Sequence, residues 1–166
     1  MNTPLTEYYA DYLRWLYRSG RPNWFARLQN NASAWMFGAG IWPERVAALE
    51  VAGRRTGQIA VFPVAIADLG SERYLVSMLG ERANWVRNVR ADGGRAVLRH
   101  GLREAVRLVE VPVEQRAPIL KRYLAVAPGA RPHFPITLDA GLDQFAAIAQ
   151  NFPVFRIERA VSAQAA

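Results

Sequence analysis

From Val46 onward the chain alternates short apolar runs with glycine-marked turns, and that punctuation limits what it can fold into. Val46–Ala52, Gln58–Ala67 and Arg73–Met78 read as strands, because each is short, apolar and bounded by a Gly-containing turn. Arg95–Arg99 and Arg103–Val111 are joined by His100-Gly101, the spacing of a tight hairpin, and Pro153–Glu158 is a sixth strand. Arg82–Ala91 reads as a short helix ended by Asp92-Gly93-Gly94. Glu114–Ala127 is a helix stopped by Pro128-Gly129, 128–137 is a proline-rich loop, and Asp139–Asn151 is a helix with Asp139 near its start. Ahead of the strands, 5–18 is helical: Thr6 caps it, and Tyr9, Tyr12, Leu13, Leu16 and Tyr17 fall on one face. A second helical piece covers 23–36, and 162–166 reads as a frayed end. The expected fold class is mainly β with helices (α+β): a small barrel of about six antiparallel strands carrying N-terminal and peripheral helices. No dinucleotide fingerprint follows a strand, and the helices are too few for a regular parallel α/β alternation.

At 166 residues and 51% apolar content the chain has enough material for one buried core. Residues 1–44 form an N-terminal helical segment and 45–160 the barrel domain. The absence of cysteine excludes disulfides, thiolate metal sites and a cysteine nucleophile. Only two histidines are present, His100 and His133, with no H-E-x-x-H or G-x-S-x-G motif, so no metal is expected. No carboxylate pair stands out for acid/base work, and an enzyme of this composition takes its hard chemistry from an organic cofactor. The start of the chain lacks a basic region followed by an apolar core, and no apolar run approaches the roughly 20 residues that span a bilayer. A cytoplasmic protein is expected, with peripheral contact at the inner face of the membrane as a further reading.

The formal net charge is +7, and of the 21 basic residues only Lys121 is a lysine. Such a chain suits an anionic ligand, an anionic membrane surface or nucleic acid. The arginines are spread rather than blocked, and no helix-turn-helix, zinc-finger or RNP signature appears, so no nucleic-acid partner is expected. The basic residues of most interest lie in Gly53-Arg54-Arg55-Thr56-Gly57-Gln58. A glycine-framed turn exposes backbone N–H groups at its tip, and two arginines and a hydroxyl make that tip an anion trap or a solvated basic turn. Trp85 and Asn88 lie three apart on one helix face, with Trp85 either a core anchor or a pocket wall and Asn88 free to bond backbone or ligand. His100 in its hairpin turn reads as a solvated polar group. The Tyr- and Trp-rich helix 5–18, flanked by Arg14, Arg18 and Arg21, reads as a packed helix or lid, a homodimer contact, or an interfacial membrane contact.

Leu49-Glu50-Val51-Ala52-Gly53-Arg54-Arg55-Thr56-Gly57-Gln58, followed by Pro63, resembles the signature of the deazaflavin-dependent nitroreductase family, actinobacterial proteins with a split β-barrel fold. Trp85-Val86-Arg87-Asn88-Val89-Arg90-Ala91 is similar to a second segment of that family, and the similarity spans about 45–158 in the right order. The resemblance implies an oxidoreductase that binds coenzyme F420, a deazaflavin with a phosphodiester and an oligoglutamate tail. It implies that Arg54, Arg55, Thr56, Gly57 and Gln58 hold the anionic part, that Pro63 and Ser77, Met78, Leu79 and Gly80 lie along the cofactor, and that Trp85 and Asn88 close the pocket. The implied reaction is hydride transfer to a small-molecule acceptor such as a quinone, an enone or a nitroaromatic, with His133 and Phe134 of the late loop facing the acceptor. Three departures narrow this: Ala60 replaces a base common in relatives, Met78-Leu79 replaces Ser-Lys, and the late loop has no tyrosine. The alternatives are an FMN- or FAD-binding reductase of the same barrel, and a non-enzymatic quinone- or lipid-binding module at the membrane. A monomer and a homodimer are both compatible with the sequence.

Overall fold

The computed structural model describes residues 45–160. The expected helices at 5–18 and 23–36, the segment 1–44 and the end 162–166 lie outside the described residues. Six strands form a closed antiparallel barrel: β1 (Val46–Ala52), β2 (Ile59–Leu69), β3 (Glu72–Val76), β4 (Arg95–His100), β5 (Leu102–Glu110) and β6 (Val154–Arg159). Around the barrel the order is β1-β2-β3-β6-β5-β4, and closure comes from β1, which pairs with both β2 and β4. The fold expected from the glycine punctuation is therefore present. The strand ends agree with the sequence reading to within two residues.

The strand alternation sorts side chains into two cores. Leu49, Val51, Leu75, Leu98, Val106, Leu108 and Phe155 point inward and are buried. The helix α1 (Asn84–Ala91) joins them: Trp85, Val86 and Val89 fall on one face and fill the same cluster. Trp85 packs on Phe155 with ring centroids 5.4 Å apart. Burying one such side chain contributes about 1.5–3 kcal/mol. The outward side of β2, β3 and β6 supplies Ala67, Val76 and Val154 to a second cluster, covered by α2 (Arg116–Val126) and α3 (Leu142–Ile148).

Three local differences from the sequence reading have physical reasons. The helix expected from Arg82 begins at Asn84, because Gly80–Arg82 winds as a separate 3-10 turn. The loop expected at 128–137 is 3-10 helix over Pro128–His133, where Pro128 presets the first turn. The last helix starts at Leu142 rather than near Asp139, with Gly141 at its cap and the Gln144 side chain accepting the Gly141 N–H at 3.2 Å. The turn from α1 into β4 needs Gly94: its φ is +85°, and a Cβ there would lie 2.4 Å from the Leu108 carbonyl oxygen.

Charged side chains brace the barrel rather than decorate it. Arg90 forks onto Glu110 (2.6 and 2.9 Å) and Glu81 (2.5 and 3.0 Å). The hydrogen bond from Arg90 holds the Glu81 carboxyl below its ordinary value. Arg73 forks onto Glu104 at 2.7 and 3.1 Å and lowers that carboxyl in the same way. Arg116 is buried; it donates to the carbonyls of Val111 (2.8 Å), Ala149 and Phe152 (3.3 Å each) and to Glu110 (3.1 Å). One guanidinium thus pins the end of β5 to the segment that leads into β6. Removing it takes one donor from each of three carbonyls and from Glu110, which keeps Arg90, and breaks a buried charged network, a loss of the kind that costs about 3 kcal/mol. Arg116→Leu is expected to lower the unfolding free energy by about 3 kcal/mol in urea titration with an unchanged slope. A loss below about 1 kcal/mol would show that this staple does not hold the two segments.

Candidate functional site: an anion-binding turn clamped by Asn88

The Gly53–Gln58 turn closes on itself through the backbone. The Gly53 N–H donates to the Gln58 carbonyl at 2.8 Å, and the Gly57 N–H donates to the Gly53 carbonyl at 2.7 Å. The Gln58 N–H donates to the Thr56 hydroxyl at 3.3 Å. Gly57 has φ +70°, a conformation that costs other residues free energy, and nothing lies within 4 Å of where its Cβ would be. The backbone at the tip is thus open to a close approach. Arg54, Arg55, Thr56, Gly57 and Gln58 are all exposed.

The turn is anchored from the side by Asn88, which is buried in α1. Its Oδ1 accepts the Arg54 backbone N–H at 3.3 Å and the Arg54 Nη1 at 3.0 Å. Two segments that stand 34 residues apart therefore meet through one amide. The structure brings Arg54, Arg55, Thr56, Gly57, Gln58 and Asn88 together. Arg54 is folded back onto the helix, while among the described residues neither the Arg55 guanidinium nor the N–H groups of Arg55 and Thr56 have a protein acceptor. This donor-only set fits a phosphate or carboxylate.

The other expected residues have definite places. Pro63 is half-buried in β2 opposite Ala48, where β2 pairs only with β1, so its missing N–H breaks no ladder. Ser77 is buried and its hydroxyl donates to the Gly80 carbonyl at 2.8 Å, while the Gly80 N–H donates to the Ser77 carbonyl at 3.1 Å. The 77–80 turn thus spends its polar groups on itself. Met78 packs on the outer core and Leu79 on the inner one, which leaves apolar surface as what this turn can offer. Trp85 sits in the barrel core below Asn88 and supports the helix. His100 is half-buried with Nδ1 2.7 Å from the Val46 carbonyl oxygen, so it ties the hairpin to β1 instead of facing solvent freely.

His133 and Phe134 are not in the inner core beneath the turn. Phe134 is buried in the outer cluster, stacked on Phe152 at 4.0 Å and 6.3 Å from Tyr123, and His133 ends the preceding 3-10 helix. Beside them a pocket of about 420 Å³ is lined by Arg131, Phe134, Pro135, Ile136, Thr137, Leu138 and Asp139. Sequence reasoning missed two features. Ile59, at the foot of the turn, is 63% exposed, an apolar shelf next to the arginines. The Asn88–Arg54 bond itself carried no local signal, because it joins separate segments.

Residues 22–132 match the family described as F420H(2)-dependent quinone reductase, about two-thirds of the chain, and the chain belongs to that family. It is an F420-dependent reductase, an oxidoreductase whose cofactor is coenzyme F420. No curated protein matches the chain. Solved structures share the fold at low identity. A chain described as a domain-swapped dimer aligns with TM-score 0.52 and 15% identity, over 81% of this chain and 97% of that one. A candidate 5-nitroimidazole antibiotic resistance protein from Bacteroides thetaiotaomicron aligns with TM-score 0.51 and 10% identity, over 76% and 80%. The protein Atu2129 from Agrobacterium tumefaciens, of unknown function, aligns with TM-score 0.53 and 14% identity, over 80% and 54%. Among the described residues no helix is long and apolar enough to cross a membrane.

Asn88→Ala removes the acceptor for both Arg54 bonds. The expected result is faster hydrogen exchange at the Arg54 amide and about tenfold weaker F420 binding, a change of about 1.4 kcal/mol. Unchanged exchange and affinity would show that the clamp is dispensable.

Proposed function

We propose that the enzyme reduces a quinone, an enone or a nitroaromatic compound with F420H2, and that the Gly53–Gln58 turn holds the cofactor's anionic part. The observation that carries this reading is the Asn88 clamp, which fixes Arg54 and leaves the Arg55 guanidinium and two backbone N–H groups open at the tip. Each charge-assisted hydrogen bond contributes roughly 1.5–3 kcal/mol, so two or three supply a good part of a micromolar affinity of about 8 kcal/mol. When bound, the deazaflavin supplies two electrons as a hydride from C5 to the acceptor, with a proton completing the reduction. The chain's own residues bind and orient: Arg54 and Arg55 fix the anion, and Thr56 and Gln58 shape the turn. Ile59, Met78 and Leu79 offer apolar surface for a flat ring, and Trp85 with Asn88 keeps the wall rigid from below.

The late loop is the acceptor side in this reading. Its pocket has the volume of a small-molecule site, with the Phe134, Ile136 and Leu138 side chains as apolar walls and Arg131 as a donor for negative charge that develops on the acceptor.

A pair of variants tests both halves. Arg54→Ala with Arg55→Ala is expected to weaken F420 binding at least tenfold in fluorescence titration, and unchanged affinity removes the anion-trap role. Thr137→Trp, at an exposed pocket position, is expected to raise the KM for menaquinone, enone or nitro acceptors at unchanged F420 affinity. An unchanged KM across that acceptor panel removes the late loop from the acceptor site.

A further inference from the structure

A closed circuit of contacts surrounds the Ser77–Gly80 turn. Arg90 of α1 forks onto Glu81, the residue that follows the turn, at 2.5 and 3.0 Å. It also forks onto Glu110, at the end of β5, at 2.6 and 2.9 Å. Glu110 accepts from Arg116 at 3.1 Å, and Arg116 holds the carbonyls of Ala149 and Phe152 at 3.3 Å each. Asn151, between those two, closes the circuit: its carbonyl packs on the buried Gly80, where a Cβ would lie 2.8 Å from the oxygen. Close by, the Ser77 N–H donates to the Pro153 carbonyl at 2.9 Å.

The turn sits where the two cores meet. Met78 packs on the outer one and Leu79 on the inner one, and both side chains keep some open surface. The hydrogen bonds within Ser77–Gly80 fix the shape of the turn but not its place. Asn151 and Pro153 hold one side of it. On the other side the Glu81–Arg90 fork ties it to α1, the helix that carries Asn88. The two side chains of that fork are 51% and 38% exposed, so the pair adds little to folding stability. A bidentate pair still fixes direction. Its removal shifts the turn without unfolding the barrel.

We infer that Glu81 is a positioning residue for the reduction. Its fork with Arg90 sets the Ser77–Gly80 turn relative to the anion turn that Asn88 holds, so that Met78 and Leu79 meet the deazaflavin ring at the correct depth. The inference rests on the reading that this turn lines the ring, and deepens it. Hydride transfer needs donor and acceptor at near-attack distance, and a misplacement of about 1 Å costs up to about 100-fold in rate. Loss of the fork therefore lowers the rate more than the affinity, because the anionic part stays anchored at 53–58.

The test is Glu81→Ala, with Glu158→Ala as its control, which breaks an Arg156–Glu158 pair of similar exposure on β6. In the protein without cofactor, Glu81→Ala is expected to quicken amide hydrogen exchange at Gly80 and Ala83 about tenfold and to leave the Arg54 amide unchanged. F420 affinity in fluorescence titration is expected to stay within about twofold of wild type, and Tm within about 2 °C. In stopped flow, the rate constant for oxidation of bound F420H2 by a saturating soluble naphthoquinone is expected to fall about tenfold. Glu158→Ala is expected to change none of these. A wild-type rate in Glu81→Ala overturns the inference. So does a loss of affinity as large as the loss of rate, or the same loss in Glu158→Ala. Leu79→Ala tests the underlying reading separately. An effect of Leu79→Ala on affinity or rate, with none from Glu81→Ala, removes Glu81 and keeps the turn at the ring. No effect of Leu79→Ala removes the turn from the ring, and the inference with it.

Discussion

The carboxamide of Asn88 is the constraint on which the candidate site depends. A turn of six residues between two strands has many conformations, and ordering it costs backbone entropy of about 1–2 kcal/mol per residue. The Gly53–Gln58 turn offsets part of this with its internal backbone bonds, but those do not set its orientation. Asn88 does, because its oxygen accepts both the backbone and the side chain of Arg54 from a buried position on α1. The helix is itself fixed by Trp85, Val86 and Val89 in the barrel core and by the Arg90 forks onto Glu81 and Glu110. A chain of rigid contacts thus runs from the core to an exposed donor tip. Preorganised donors of this sort bind anions with less loss of entropy than a free loop does.

The arginine excess also has a clearer meaning. Most of these guanidinium groups are occupied by carboxylates or carbonyls: Arg73 by Glu104, Arg90 by Glu81 and Glu110, Arg116 by three carbonyls, Arg122 by Asp68. They brace the barrel. Among the described residues Arg55, Arg82, Arg87 and Arg107 have no carboxylate or carbonyl partner, and the exposed Arg95 keeps only Asp92.

Much of the barrel was legible in the sequence, because glycine turns and apolar runs are local signals. Val46–Ala52 matches β1 residue for residue, and the His100-Gly101 hairpin joins β4 and β5 as its spacing implied. The strand order was not legible: β3 pairs with β6 and β1 with β4, contacts between segments far apart in the chain that no local pattern encodes. The same reason hid the Arg54–Asn88 bond, although both residues stood out separately. Trp85 could be read as core or pocket wall, and its packing on Phe155 places it in the core. Phe134 drew notice as an aromatic in a loop, yet that loop is a 3-10 turn that carries the ring into the outer core against Phe152.

The central claim is that the Gly53–Gln58 turn, held by Asn88, is where the cofactor's anionic group is bound. An amide-resolved NMR titration of the isotope-labelled protein with oxidised F420 tests it most directly. The account predicts that the backbone amides of Arg55 and Thr56 and the side-chain NεH of Arg55 show the largest shifts, and that these saturate together with the change in deazaflavin fluorescence. Amides of 53–58 that stay in place while the shifts concentrate elsewhere on the barrel would contradict it.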